Sequence, residues 1–177
     1  MSRIRAAVAI AAAASLAAPA VAAAHVTVNP REMVAGSFGV LDVRVPNERD
    51  DKGTRKVDLR LPGGVYSLSY KKVPGWKAVV TRKRLKTPVN LDGFRVTHRV
   101  SRVVWTAARR NAIIAPGQFE EFRISIRVPD GQPGKTLLFK ALQHYQGGEV
   151  VRWTRADAGA DLPAPRLTLT AAAAAGR

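Results

Sequence analysis

The chain contains no cysteine. Disulfides, thiolate metal sites and cysteine nucleophiles are therefore excluded, and the fold has to hold together by packing alone. Histidine is almost as scarce, with three residues, His25, His98 and His144. Acidic side chains are outnumbered, 13 against 29 basic ones, which gives a net charge of +16. No G-x-S-x-G elbow is present, and the glycines of "LPGG" and "QGG" lack the following helix that cradles a phosphate. Glu120-Glu121 and Asp50-Asp51 are adjacent carboxylates, which a strand points to opposite faces, so neither pair makes a shared acid-base site. Ordinary hydrolysis and nucleotide chemistry lack their machinery, and the chain reads as a non-enzyme.

Long apolar runs are missing too. Residues 1–24 join a basic start, Arg3 and Arg5 in "MSRIR", to the short apolar core "AAVAIAAAASLAA" and the small-residue cleavage site Ala22-Ala23-Ala24. That order is a cleaved secretory signal peptide; for a membrane span the core is too short and is interrupted by Pro19. The closing "TAAAAAGR" is too short and too polar to cross a bilayer, so no transmembrane anchor is expected and residues 171–177 read as a disordered tail. Cleavage leaves 153 residues, of which 25–170 suffice for one domain, and makes His25 the first residue. The expected location is periplasmic or secreted.

Without the signal, 27 basic residues face 13 acidic ones, a charge of +14. Nucleic acid is the usual partner of so basic a domain, but export removes it, and no aromatic interleaving accompanies "TRKRLK" or "AARR". A solvated basic face, drawn to anionic envelope polymers or lipid headgroups, is the reading that remains.

Apolar residues recur with period two. In "FGVLDVRVP" Leu41, Val43 and Val45 oppose Asp42 and Arg44; in "TRKVDLRLP" Val57, Leu59 and Leu61 alternate with Lys56, Asp58 and Arg60. In "EEFRISIRVP" Phe122, Ile124, Ile126 and Val128 alternate with Arg123, Ser125 and Arg127. Further strand-like runs are "HVTVNP", "VYSLSYKK", "WKAVVTRK", "RVSRVVWT", "TLLFKALQHY", "EVVRWT" and "RLTLT", parted by turn signals such as "LPGG", "LDG" and "PDGQPG". About ten short strands and no long helix indicate an all-β fold, an antiparallel immunoglobulin-like β-sandwich.

A histidine at the mature N-terminus brings chemistry of its own. Its free α-amine and its imidazole Nδ1 close a chelate ring on one metal ion, and the amine gives up its proton near pH 8, far more readily than a lysine. Two nitrogens completed by oxygen in a tetragonal arrangement suit Cu(II), which also heads the divalent affinity order.

The mature start "HVTVNP", "RVPNERD" with "TRKVDLRLP", the "VPGW" turn, "VVWTA", "PGQFEEFRISIRVP" and "FKALQHYQGGEVVRW" together resemble the YcnI-like domain family, in order and over essentially the whole mature chain. The resemblance implies an exported copper-binding sandwich in which the N-terminal histidine braces Cu(II), a glutamate completes the site and a tryptophan neighbours it. It carries the brace to His25, the glutamate to Glu48 in "VPNE" ahead of Glu149 and Glu121, and the tryptophan to Trp153 in "VVRW". Trp76 and Trp105 are left as core anchors. The implied partners are the copper ion and another copper-handling envelope protein.

Two other readings stay open. Exported copper oxygenases that cleave polysaccharides pair the N-terminal histidine with a second one. His98 lies in a basic strand, but a two-residue turn at Gly147-Gly148 would place His144 opposite Val151, on the face of Trp153, whereas a turn one residue longer would flip it away. The third reading is a metal-free basic protein that binds an anionic envelope polymer.

Overall fold

The alternation of apolar and charged residues builds the molecule directly into strands. The computed structural model describes residues 25–172, so the expected signal peptide (1–24) and most of the expected tail (173–177) lie outside the described residues. In chain order the strands are β1 (Thr27–Asn29), β2 (Glu32–Val34), β3 (Phe38–Pro46), β4 (Thr54–Arg60) and β5 (Leu68–Tyr70). A long hairpin of β6 (Trp76–Leu91) and β7 (Phe94–Ala107) follows, then β8 (Phe119–Arg127) and β9 (Thr136–Leu138). The last three are β10 (Lys140–Tyr145), β11 (Val150–Trp153) and β12 (Arg166–Thr170). Among the described residues there is no α-helix, and none is long and apolar enough to cross a membrane.

Two sheets face each other, one ordered β1-β3-β8-β5 and the other β11-β10-β4-β7-β6. β3 and β8 pair antiparallel with Val43 opposite Phe122 and Leu41 opposite Ile124, so the apolar positions of both strands share the inner face. The second sheet offers Val57, Leu59, Val103, Trp105 and Ala141, all buried, against them. Phe122 joins the layers: its ring lies 5.0 Å from Trp76, edge to face, and 4.8 Å from Trp105. Both tryptophans are therefore the core anchors expected of large rings in a sandwich. A small third sheet, β2-β12-β9, closes one side and pairs β2 with β12 in parallel; an isolated bridge of Arg155 with Pro163 is also parallel.

The β6–β7 hairpin is longer than the short strands expected, at 16 and 14 residues. Its first half belongs to the sheet, with Val80 opposite Val103 and Ala78 opposite Trp105. Beyond Arg82 it becomes a two-stranded ribbon that turns at Asp92-Gly93. Positive φ at both residues, 50° and 86°, is the backbone that a two-residue turn of matching twist requires.

Candidate metal centre

β1 pairs with β3 through Thr27 opposite Arg44, and carrying that register back two residues brings His25 level with Pro46. The imidazole of His25 packs against the indole of Trp153, with ring centroids 5.5 Å apart and planes tilted by 55°. Trp153 is buried at the end of the edge strand β11, whereas His25 is half-buried, so the indole forms a floor beneath a ring that solvent still reaches. A cleft of about 360 Å³ opens beside this contact, lined in part by His25, Arg31, Arg166 and Thr168.

A polar side chain in the core fixes the indole. Gln143 is fully buried on β10; its Oε1 accepts from Trp153 Nε1 at 3.0 Å, while its Nε2 donates to Pro46 O at 2.7 Å and to Thr54 Oγ1 at 2.8 Å. All the groups it faces are satisfied, as burial of an amide demands. One residue thus ties the indole to the end of β3, the strand level with His25.

Glu48 sits two residues past Pro46, in the loop to β4. Asn47, itself buried, shapes that loop: its Nδ2 donates to Lys52 O and Ile114 O, both at 2.9 Å, and its Oδ1 accepts from Arg49 N at 2.9 Å. The Glu48 side chain is exposed and, among the described residues, takes part in no ion pair or hydrogen bond.

The other carboxylates are placed differently. Glu149 is engaged at both oxygens, Oε1 by Arg49 at 2.6 Å and Oε2 by Lys52 at 3.1 Å. Hydrogen bonds from Arg49 and then Lys52 hold its carboxyl below the usual range, and the pairing in turn raises both cations. Glu121 stands opposite Arg44 on β8, a strand beyond β3 and so two strand spacings, about 10 Å, from β1.

His144 does not share a face with Trp153. Tyr145 N donates to Glu149 O, so three residues, Gln146 to Gly148, make the turn, and the register runs His144 opposite Val150 and Gln143 opposite Val151. The two-residue turn is corrected: the longer loop flips His144 to the outer face, level with Lys56, and gives its inward place to Gln143. The cause is Gln146, whose side chain accepts from Gly53 N at 3.0 Å while its own N–H donates to Gly53 O at 2.9 Å, which draws it out of the strand. His98 lies on the exposed ribbon opposite Arg84.

Sequence reasoning missed Gln143, Asn47 and Arg49. A glutamine at an inward position among the apolar residues of "ALQHY" is the signal that could have found the first. For Arg49, which occupies Glu149 from a hundred residues away, the sequence holds none.

Sandwich and site define the chain as an immunoglobulin-like domain, and it belongs to the family described as Domain of unknown function (DUF1775), which matches residues 25–169. This is the YcnI-like family that the motifs resemble. The chain is 34% identical over 151 residues to Copper-binding protein CutI of Bacillus subtilis (strain 168), a match that takes in 85% of this chain. The chain spans 65% of the length of that relative. Among solved structures it is similar, at a TM-score of 0.64 and 32% identity, to an uncharacterized protein from Nocardia farcinica described as having an immunoglobulin-like fold. That likeness covers 82% of this chain and 98% of the other.

Proposed function

We propose that the protein is an exported copper-binding protein of copper homeostasis or trafficking, in which His25 becomes the N-terminal residue and holds Cu(II) through its α-amine and Nδ1. The observation that carries this reading is the His25 ring seated on the buried, fixed indole of Trp153, at the residue where the family match begins. The name of the relative CutI supports copper as the metal.

The residues fit the ion. Among the described residues no three His, Cys, Asp or Glu side chains converge, so a metal here has to draw on a main-chain donor, and the amine released at His25 is one. Among the described residues the Glu48 carboxylate forms no ion pair, although Arg49 lies near enough to feel its charge, whereas Glu149 holds two cations directly. A hard, charged oxygen beside two nitrogens favours the oxidised ion, which suits storage or transfer. Trp153 has no lone pair to give; it limits solvent and the space open on one side of the ring. Neither His144 nor His98 brings a second imidazole to His25, so the binding reading is preferred to the oxygenase. The periplasm or the exterior is the location this reading requires, and another copper-handling envelope protein the partner.

Isothermal titration with Cu(II) tests it on two preparations, one chain starting at His25 and one with a single alanine before it. The first takes up one ion, and the second loses affinity by at least a hundredfold because its amine sits one peptide away. Equal affinity overturns the brace.

A further inference from the structure

From Arg82 to Arg99 the β6–β7 ribbon carries six cations, Arg82, Lys83, Arg84, Lys86, Arg95 and Arg99, against one acid, Asp92. None of the six makes an ion pair among the described residues. Lys83 and Arg99 even stand directly opposite each other, a cross-strand arrangement of like charges that opposes folding. The one acid is already engaged: Asp92 Oδ2 meets Arg127 Nε at 3.2 Å, and Arg127 is also bound by Asp130.

That contact docks the ribbon tip on the sandwich and sets two rings on either side of it. Phe94 follows the turn and is 76% exposed; Phe38, the register partner of Arg127, is 69% exposed. Both rings lie at the far end of β3 from Pro46 and His25. Phe94 ends a ribbon that carries Arg95 beside it and Lys83, Arg84 and Arg99 nearer its base. Exposed rings together with cations that form no ion pair among the described residues match a surface that is apolar beneath and anionic on top.

We infer that the ribbon tip docks on an anionic phospholipid bilayer, with Phe94 and Phe38 entering the headgroup layer and the ribbon cations lying against lipid phosphates. A soluble polyanion satisfies the cations but gives no role to the rings, which is why a lipid surface is chosen. Charge complementarity makes the attachment sensitive to salt.

Co-sedimentation with vesicles tests this, using phosphatidylcholine alone and phosphatidylcholine with roughly a third phosphatidylglycerol. The protein should pellet with the anionic vesicles and not with the neutral ones. Replacing Lys83, Arg84 and Lys86 together by glutamine should weaken that binding roughly a hundredfold, at about fivefold per cation. Phe94→Ser should weaken it about tenfold, the scale of one buried aromatic ring. Arg109→Gln with Arg110→Gln, exposed cations outside the ribbon, should change it less than twofold per residue. Equal loss in that control, no loss in Phe94→Ser, or binding to heparin but not to vesicles would each overturn the proposal. Unchanged circular dichroism of each variant separates lost docking from lost folding.

Discussion

Trp153 Nε1 donates to Gln143 Oε1 at 3.0 Å, a bond between inward side chains of neighbouring strands, with Trp153 two positions along β11 from the residue opposite Gln143. Gln143→Leu therefore removes one bond from each of three polar groups at once: the indole N–H, Pro46 O and Thr54 Oγ1. We expect a loss of about 2–3 kcal/mol in urea unfolding. If the proposed copper site is sound, the same variant also broadens the Cu(II) paramagnetic resonance spectrum, because the floor under His25 is no longer held in one orientation.

Trp153→Phe keeps a ring beneath His25 and removes the donor to Gln143. Copper affinity should change less than the ease of reduction, read by titration and by voltammetry of the same sample. A loss of affinity beyond a hundredfold would mark the indole as more than a neighbour.

Glu48→Gln and Glu149→Gln separate two carboxylates that sequence could only rank. Glu48→Gln should weaken Cu(II) binding by roughly tenfold or more with unfolding little changed, since its exposed side chain forms no ion pair or hydrogen bond among the described residues. Glu149→Gln should instead lower stability modestly by releasing Arg49 and Lys52. A larger copper defect in Glu149→Gln would move the site to that residue.

His144 titrates below the ordinary imidazole value of about 6.5. Burial opposes its charge first, the Lys56 ammonium second, with Arg55 and Arg152 adding to it and Asp58 working against them. Its Nε2 is buried and, among the described residues, has no hydrogen-bond partner. The unfolded chain thus binds this proton more readily, so stability present above the ordinary value is lost as pH falls from there toward the lowered one. His144→Leu should remove that part of the acid-side decline, measured as unfolding midpoints at matched pH, and an NMR titration of the ring gives the lowered value directly.

Asp58, 3% exposed, receives two bonds of 2.6 Å from Arg102. Arg102→Met leaves that carboxylate buried and unpaired and should cost about 3 kcal/mol, whereas Arg102→Met with Asp58→Leu should recover most of it. Thermal unfolding of the pair of variants measures both.

The parts of the fold that could be read in advance are those where one face meets water and the other the core. β3, β4 and β8 are such strands, and Leu41, Val43, Phe122 and Ile124 lie where alternation puts them. The ribbon had no such face: from Arg82 to Pro88 nearly every side chain is exposed, so no period betrayed its length. The turn after Tyr145 was misjudged because its size depends on Gln146 bonding Gly53, a residue far away in sequence. The same holds at the site. His25 and Trp153 stand out in the sequence by type and position, but the glutamine between Trp153 and Pro46, and the arginine on Glu149, are consequences of pairing across the sheet.

The pieces that meet beside His25 come from both ends of the domain: β1 from the start, Pro46 at the end of β3, and Gln143 and Trp153 near the end. β3 itself has no central partner until β8 is made, so long-range closure has to precede any ordering of this corner, and such topologies fold slowly. A chain still lacking β10 and β11 owns the histidine but neither the indole nor the glutamine that holds it. Completion of the corner is therefore a report that the chain has arrived as far as β11, and a copy truncated before that strand presents His25 with nothing beneath it.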